Sequence, residues 1–206
     1  MLRVGLTGGI ACGKSAVAKM LQDRGCPVLA ADPLGHQLLE PGQAAYDEVV
    51  REFGTGILGQ GGKVDRGKLG TIVFADPAKR ARLNWILHPK ILETIRSWFK
   101  ELDRAGGPEF AVMEAALIYE AAANRELDRV IVCWCSQEQQ LERLQQRGLA
   151  LEQAQRRIAA QMPVDEKRRL ADEVIDCSGT MEETERQVEQ LIEKLKQSPP
   201  AVRRAP

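Results

Sequence analysis

Between Leu2 and Ser15 the chain reads LRVGLTGGIACGKS, and its second half, Gly8-Gly9-Ile10-Ala11-Cys12-Gly13-Lys14-Ser15, fills G-x-x-x-x-G-K-[ST] at every fixed position. Residues of these types at this spacing bind a chain of phosphates. Gly8 and Gly13 permit backbone angles and a close approach that a Cβ would obstruct. Lys14 carries a point charge to the terminal phosphates, and the Ser15 hydroxyl is a ligand for Mg²⁺. The backbone N–H groups from Gly8 to Ala16 are the expected cradle for the phosphate oxygens. Such a loop identifies a nucleotide, not a reaction.

The loop needs a strand before it and a helix behind it. Leu2 to Leu6 is a short apolar run suited to a buried strand, and Ser15-Ala16-Val17-Ala18-Lys19-Met20-Leu21 opens a helix. Cys26 to Ala31 reads as a second strand, ended by Asp32-Pro33. Strand, helix, strand predicts a parallel α/β sheet, whose ligands lie beyond the carboxyl ends of the strands. Asp32 falls at that edge. It is either a base that takes a proton from an attacking hydroxyl or an N-cap for the next helix, and position alone does not choose.

From about Leu34 to Arg104 the pattern is mainly helical. Gly54 to Gly62 holds five glycines in nine residues and reads as a flexible connection. Leu83, Ile86, Leu87, Ile91, Ile95, Trp98 and Phe99 recur at helical spacing, with Pro89 demanding a kink or a helix start. His88, beside it, is a ligand contact or an ordinary structural histidine. Phe110 to Met113 and Arg129 to Trp134 are the third and fourth strands. Glu114 after the third strand either approaches Mg²⁺ through water or caps a helix. Gln137 to Arg147 and Leu151 to Met162 form an arginine-bearing helical pair. Within it Arg143 suits a transferring phosphoryl group, while Arg156 suits pairing with Glu152. Lys167-Arg168-Arg169 reads as a solvated helix face. Glu173 to Asp176 is a fifth strand, and a final amphipathic helix ends near Lys196.

Composition narrows the class. The 206 residues allow one substantial core, and 29 basic residues balance 29 acidic ones. Zero net charge gives no reason to expect nucleic acid or an anionic membrane as partner. No apolar stretch reaches the ~18 residues of a spanning helix, and the start of the chain lacks a signal-peptide pattern. A cytoplasmic protein is expected, as a monomer or weak homo-oligomer. The five cysteines are odd in number and lack C-x-x-C pairs, which excludes a disulfide framework or zinc signature. Cys133 and Cys135 read as small core residues. Cys12, beside a helix N-terminus, is expected to have a lowered thiol pKa and to be protected by nucleotide from alkylation.

Taken together, LTGGIACGKS (Leu6 to Ser15), AADPLGHQL (Ala30 to Leu38), LNWILHPKI (Leu83 to Ile91), ALIYE (Ala116 to Glu120), QLERLQQR (Gln140 to Arg147), RIAAQMP (Arg157 to Pro163) and VIDCSG (Val174 to Gly179) resemble the dephospho-CoA kinase family in order and separation. The resemblance spans about residues 2 to 195. It implies transfer of the ATP γ-phosphate, with Mg²⁺, to the ribose 3′-hydroxyl of dephospho-CoA. It also implies Asp32 as base, Thr7, Lys14 and Arg143 in the active site, and His88, Pro89 and Leu117 toward the CoA substrate.

The implied fold is a P-loop NTPase three-layer α/β/α sandwich with a five-stranded parallel sheet. Its nucleotide-binding core would comprise 1–32, 108–139 and 163–197, with a helical substrate insertion at 33–107, a lid at 140–162 and a disordered tail at 198–206. The sequence departs from the family at Ala11-Cys12, where Gly-Ser is usual, at Ala30, where an acid is usual, and at Cys177, where Asn is common. The last two bear on nucleotide selectivity. Kinases for a nucleoside monophosphate or shikimate lack the His-Pro helix and the VIDCSG strand in this arrangement. A GTPase switch would need an N-K-x-D motif, which is absent.

Overall fold

The computed structural model describes residues 1–197; the tail expected at 198–206 lies outside them. Strand β1 (Leu2–Gly8) leads through the glycine-rich turn into helix α1 (Lys14–Asp23), and β2 (Val28–Ala30) follows. Then come α2 (Leu34–Gln37), α3 (Tyr46–Phe53), α4 (Arg66–Ala75) and the long α5 (Pro77–Arg104). Strands β3 (Phe110–Glu114) and β4 (Arg129–Trp134) precede α6 (Gln137–Gln146), α7 (Leu151–Ala159) and α8 (Val164–Leu170). The described chain closes with β5 (Glu173–Asp176) and α9 (Met181–Gln197).

All strand pairs are parallel, in the order β2-β3-β1-β4-β5. Central β1 has a neighbour on each side, with Leu6 level with Glu114 of β3 and Ile131 of β4. A strand covered on both faces is mostly apolar: Leu2, Val4 and Leu6 on one face are 0% exposed, and on the other Gly5 and Thr7 are buried, with Arg3 half-buried. Val17 and Leu21 of α1 and Val188, Leu191, Ile192 and Leu195 of α9 supply further buried apolar groups.

The chain divides into two compact units, Met1–Ala30 with the chain from Glu101 onward, and Ala31–Lys100. The second has its own core, built from Leu38, Leu39, Val49, Ile57, Leu69 and Ile86 among others. Its helices start where the local chemistry allows: Asp65 accepts from the Gly67 and Lys68 N–H groups at the head of α4.

Several expectations need correction. The second strand is three residues long, not six. Pro89 starts no helix; it lies inside α5, whose face is held by buried Ile86, Leu87, Ile95 and Phe99. The glycine-rich stretch is more ordered than a flexible connection, for it carries two 3-10 turns, buried Ile57 and a Leu58–Val64 bridge.

Candidate active site

Gly8 ends β1 because the strand runs close beside β4: a Cβ on Gly8 would stand 2.5 Å from the Cys133 carbonyl oxygen. Gly13 sits at the N-cap of α1 with φ 89 and no capping side chain. An L side chain is strained at that angle, so the first turn of α1 is left open to an anion from outside the chain. Ser15, in that turn, is exposed.

The Lys14 ammonium lies 2.6 Å from Glu114 Oε1, both side chains being mostly buried. Glu114 therefore caps no helix; it is an oxygen at the end of β3 that holds the loop lysine. Thr7, 0% exposed, donates its hydroxyl to the Ala116 carbonyl at 3.1 Å. The same carbonyl accepts from Lys167 Nζ at 2.7 Å.

Lys167 is the residue that the sequence misplaced. It is fully buried and paired with Glu120 at 2.9 Å, not part of a solvated face. Its neighbour Arg168 stacks its guanidinium 4.5 Å from the Trp134 ring. The signal was available in Val164, which is buried one turn earlier on the same face of α8.

Arg143 donates to the Ala11 carbonyl at 3.1 Å and to the Cys177 carbonyl at 2.7 Å. Its fork thus ties the phosphate loop to the end of β5. Arg156 pairs with Glu152 in full solvent. Asp32 is exposed, and Pro33, the residue after it, occupies the N-cap of α2. Thr7, the loop, Lys14, Glu114 and Arg143 all lie in the first unit, where Leu117 is 45% exposed. Asp32, His88 and Pro89 belong to the second, and the last two are exposed on α5.

Cys12 overturns its expectation. It is 0% exposed, with Sγ 3.3 Å from Cys135 Sγ. The shared hydrogen bond and burial push the Cys12 thiol up, while the same bond and then the Arg143 charge draw Cys135 down. The side chain packs under the loop instead of facing the open helix end, so the helix does not activate it. All five cysteines are free thiols.

A parallel sheet bearing a lysine-tipped glycine loop between its first strand and first helix defines a P-loop nucleotide-binding fold. The dephospho-CoA kinase family model matches residues 2–183. The dephospho-CoA kinase of Bacillus licheniformis is 45% identical over 93% of this chain and 96% of its own length. Among solved structures, a Thermus thermophilus protein superposes with a TM-score of 0.80 at 30% identity, covering 94% of this chain and 97% of that one. Dephospho-CoA kinase from Campylobacter jejuni gives a TM-score of 0.73 at 28% identity, with 94% and 96% covered.

The chain belongs to the dephospho-CoA kinase family. It is an ATP-using kinase of the last step of coenzyme A biosynthesis.

Proposed function

We propose that Asp32 takes the proton from the ribose 3′-hydroxyl of dephospho-CoA as that oxygen attacks the γ-phosphorus of ATP. Phosphoryl transfer asks a protein mainly for positioning and charge neutralisation. Lys14 meets the β- and γ-phosphates, the loop amides between Gly8 and Ala16 that are not already taken by Gln161 (Ile10), Gly9 (Cys12) or Gly13 (Ala16) cradle the chain, and Arg143 offsets the charge on the group in transit. Thr7 fixes the end of β1 against the segment after β3. His88, Pro89 and Leu117 contact the acceptor, and the α6–α7 region acts as a lid.

The observation that carries this reading is the uncapped start of α1 beside the Lys14–Glu114 pair. Lys14 is already held on the loop side of the sheet edge, and the helix end lacks an anion of its own.

The donor set fits Mg²⁺. The exposed Ser15 hydroxyl and the Glu114 carboxylate are hard oxygen ligands. No group of three or more His, Cys, Asp or Glu among the described residues is placed to hold a metal ion. An ion here would therefore draw most of its oxygens from ATP and water, as Mg²⁺ prefers. Bound there, it would neutralise charge on the β- and γ-oxygens. Among the described residues no helix is long and apolar enough to cross a membrane.

The test is ADP formation by the purified protein with ATP and dephospho-CoA, then with nucleoside monophosphates and shikimate in its place. Phosphorus NMR of the product should show a new 3′-phosphomonoester. Turnover without an acceptor, or phosphate at another hydroxyl, would overturn the assignment.

A further inference from the structure

The tip of the phosphate loop is held by side chains that the reaction scheme does not use. Ile10 donates its backbone N–H to Gln161 Oε1 at 2.9 Å, and its carbonyl accepts from Gln140 Nε2 at 2.7 Å. Both polar groups of one loop residue are thus taken by carboxamides 130 and 151 positions away. Gln140 is 3% exposed. Its amide lies so close over Gly9 that a Cβ there would come within 2.3 Å of Nε2.

The next residue explains why the tip needs holding. Ala11 has φ 62, a left-handed angle at which an alanine is strained and a glycine is not. Within the loop the Cys12 N–H donates to the Gly9 carbonyl at 3.1 Å, and Arg143 holds the Ala11 carbonyl at 3.1 Å, so the Ile10 side of the Ala11 bend is left to the two carboxamides. Relaxing Ala11 to an ordinary angle would turn the Ile10–Ala11 peptide and misdirect the amides that follow it.

We propose that Gln140 and Gln161 are positioning residues for ATP, gripping the two backbone groups of Ile10 so that the loop keeps its strained Ala11 and its amides stay aimed at the phosphates. This rests on the reading of the loop as the ATP phosphate site. The grip comes from two segments. Gln140 stands on α6, anchored by the Ser136–Gln139 capping box. Gln161 stands between α7 and α8, so a displacement of that segment releases the Ile10 N–H and loosens the nucleotide site. Lid position and loop shape are linked through one amide.

The test uses the full chain with Gln140→Met and Gln161→Met, which keep the length of the side chain and remove the hydrogen bond. Each should raise the ATP dissociation constant, measured by calorimetric titration without acceptor, by about five- to tenfold, the worth of one such bond. KM for dephospho-CoA should stay within about twofold of the parent. Ala11→Gly placed on Gln140→Met should recover much of the lost ATP affinity, because glycine keeps the left-handed angle without a grip.

A purely structural role would instead lower Tm and weaken both substrates alike, without rescue by glycine. Unchanged ATP affinity in both variants, or that undiscriminating pattern, overturns the proposal. Gln161 is only partly buried, so its variant folds even if the Gln140 one does not. A parent protein that binds ATP but leaves dephospho-CoA untouched would sink the acceptor assignment and leave this test readable.

Discussion

The ammonium of Lys167, 0% exposed, lies 2.9 Å from Glu120 Oε1, whose side chain keeps 23% of its surface in water. The two partners are therefore not equivalent. Removing the carboxylate strands a cation inside the protein; removing the cation leaves a carboxylate that still reaches solvent and still accepts from the Met162 N–H at 2.9 Å. Glu120→Ala should cost about 3 kcal/mol, and Lys167→Met about 1–2 kcal/mol. Urea denaturation measures both, and the reverse order would contradict the pairing.

Tyr119 makes a second case. Its hydroxyl is buried and has no hydrogen-bond partner among the described residues. Burial, with Asp172 adding to it, pushes the phenol from its ordinary 10.0 up to about 12. A group whose folded pKa is raised contributes stability below its unfolded pKa and loses it as pH rises through the folded value. The protein should thus lose stability between pH 10 and about pH 12. Tyr119→Phe should flatten that limb and be neutral or stabilising at pH 7, because it deletes an unsatisfied polar atom. Melting curves across the alkaline range decide it.

For the chemistry, Asp32→Asn should leave ATP affinity close to the parent value while lowering the transfer rate by about 10²–10⁴-fold. Rapid-quench measurement of ADP formation with both substrates saturating isolates that step. Transfer at the parent rate would remove Asp32 from its role.

Arg143→Lys is expected to fail as a conservative change. A single ammonium cannot span the Ala11 and Cys177 carbonyls that the guanidinium joins. The rate should drop about 10²-fold or more, and a lysine variant with parent kcat would show that the fork is dispensable.

The thiols give a fifth prediction. Cys12, Cys133 and Cys135 are 0% exposed and Cys177 is 6% exposed, whereas Cys26 is partly exposed. Maleimide should label Cys26 first, with or without ATP, and peptide mapping would locate it. Rapid labelling of Cys12 that ATP blocks would contradict the buried Cys12–Cys135 contact.

Much of the fold was legible because buried parallel strands are written as apolar runs. The first, third, fourth and fifth strands were found to within two residues of their ends. The loop was legible because phosphate binding dictates residue types at fixed spacing. The remainder depends on partners far apart in the chain. Cys12 meets Cys135 across 123 positions, and Lys167 finds the Ala116 carbonyl across 51. A lysine that will be buried looks like any surface lysine until its partner is known. Gln140 was hidden likewise, although it stands one turn before buried Leu144 on the inward face of α6. Pro89 left two readings open, and the helix runs through it because buried Ile86 and Leu87 before it and Ile95 and Phe99 after it share one helix.

Every strand pairing joins residues outside 31–100, although that whole stretch enters and leaves the chain between β2 and β3. The ladder thus closes without a single rung from that stretch, so insertions or exchanges within it leave every strand in register.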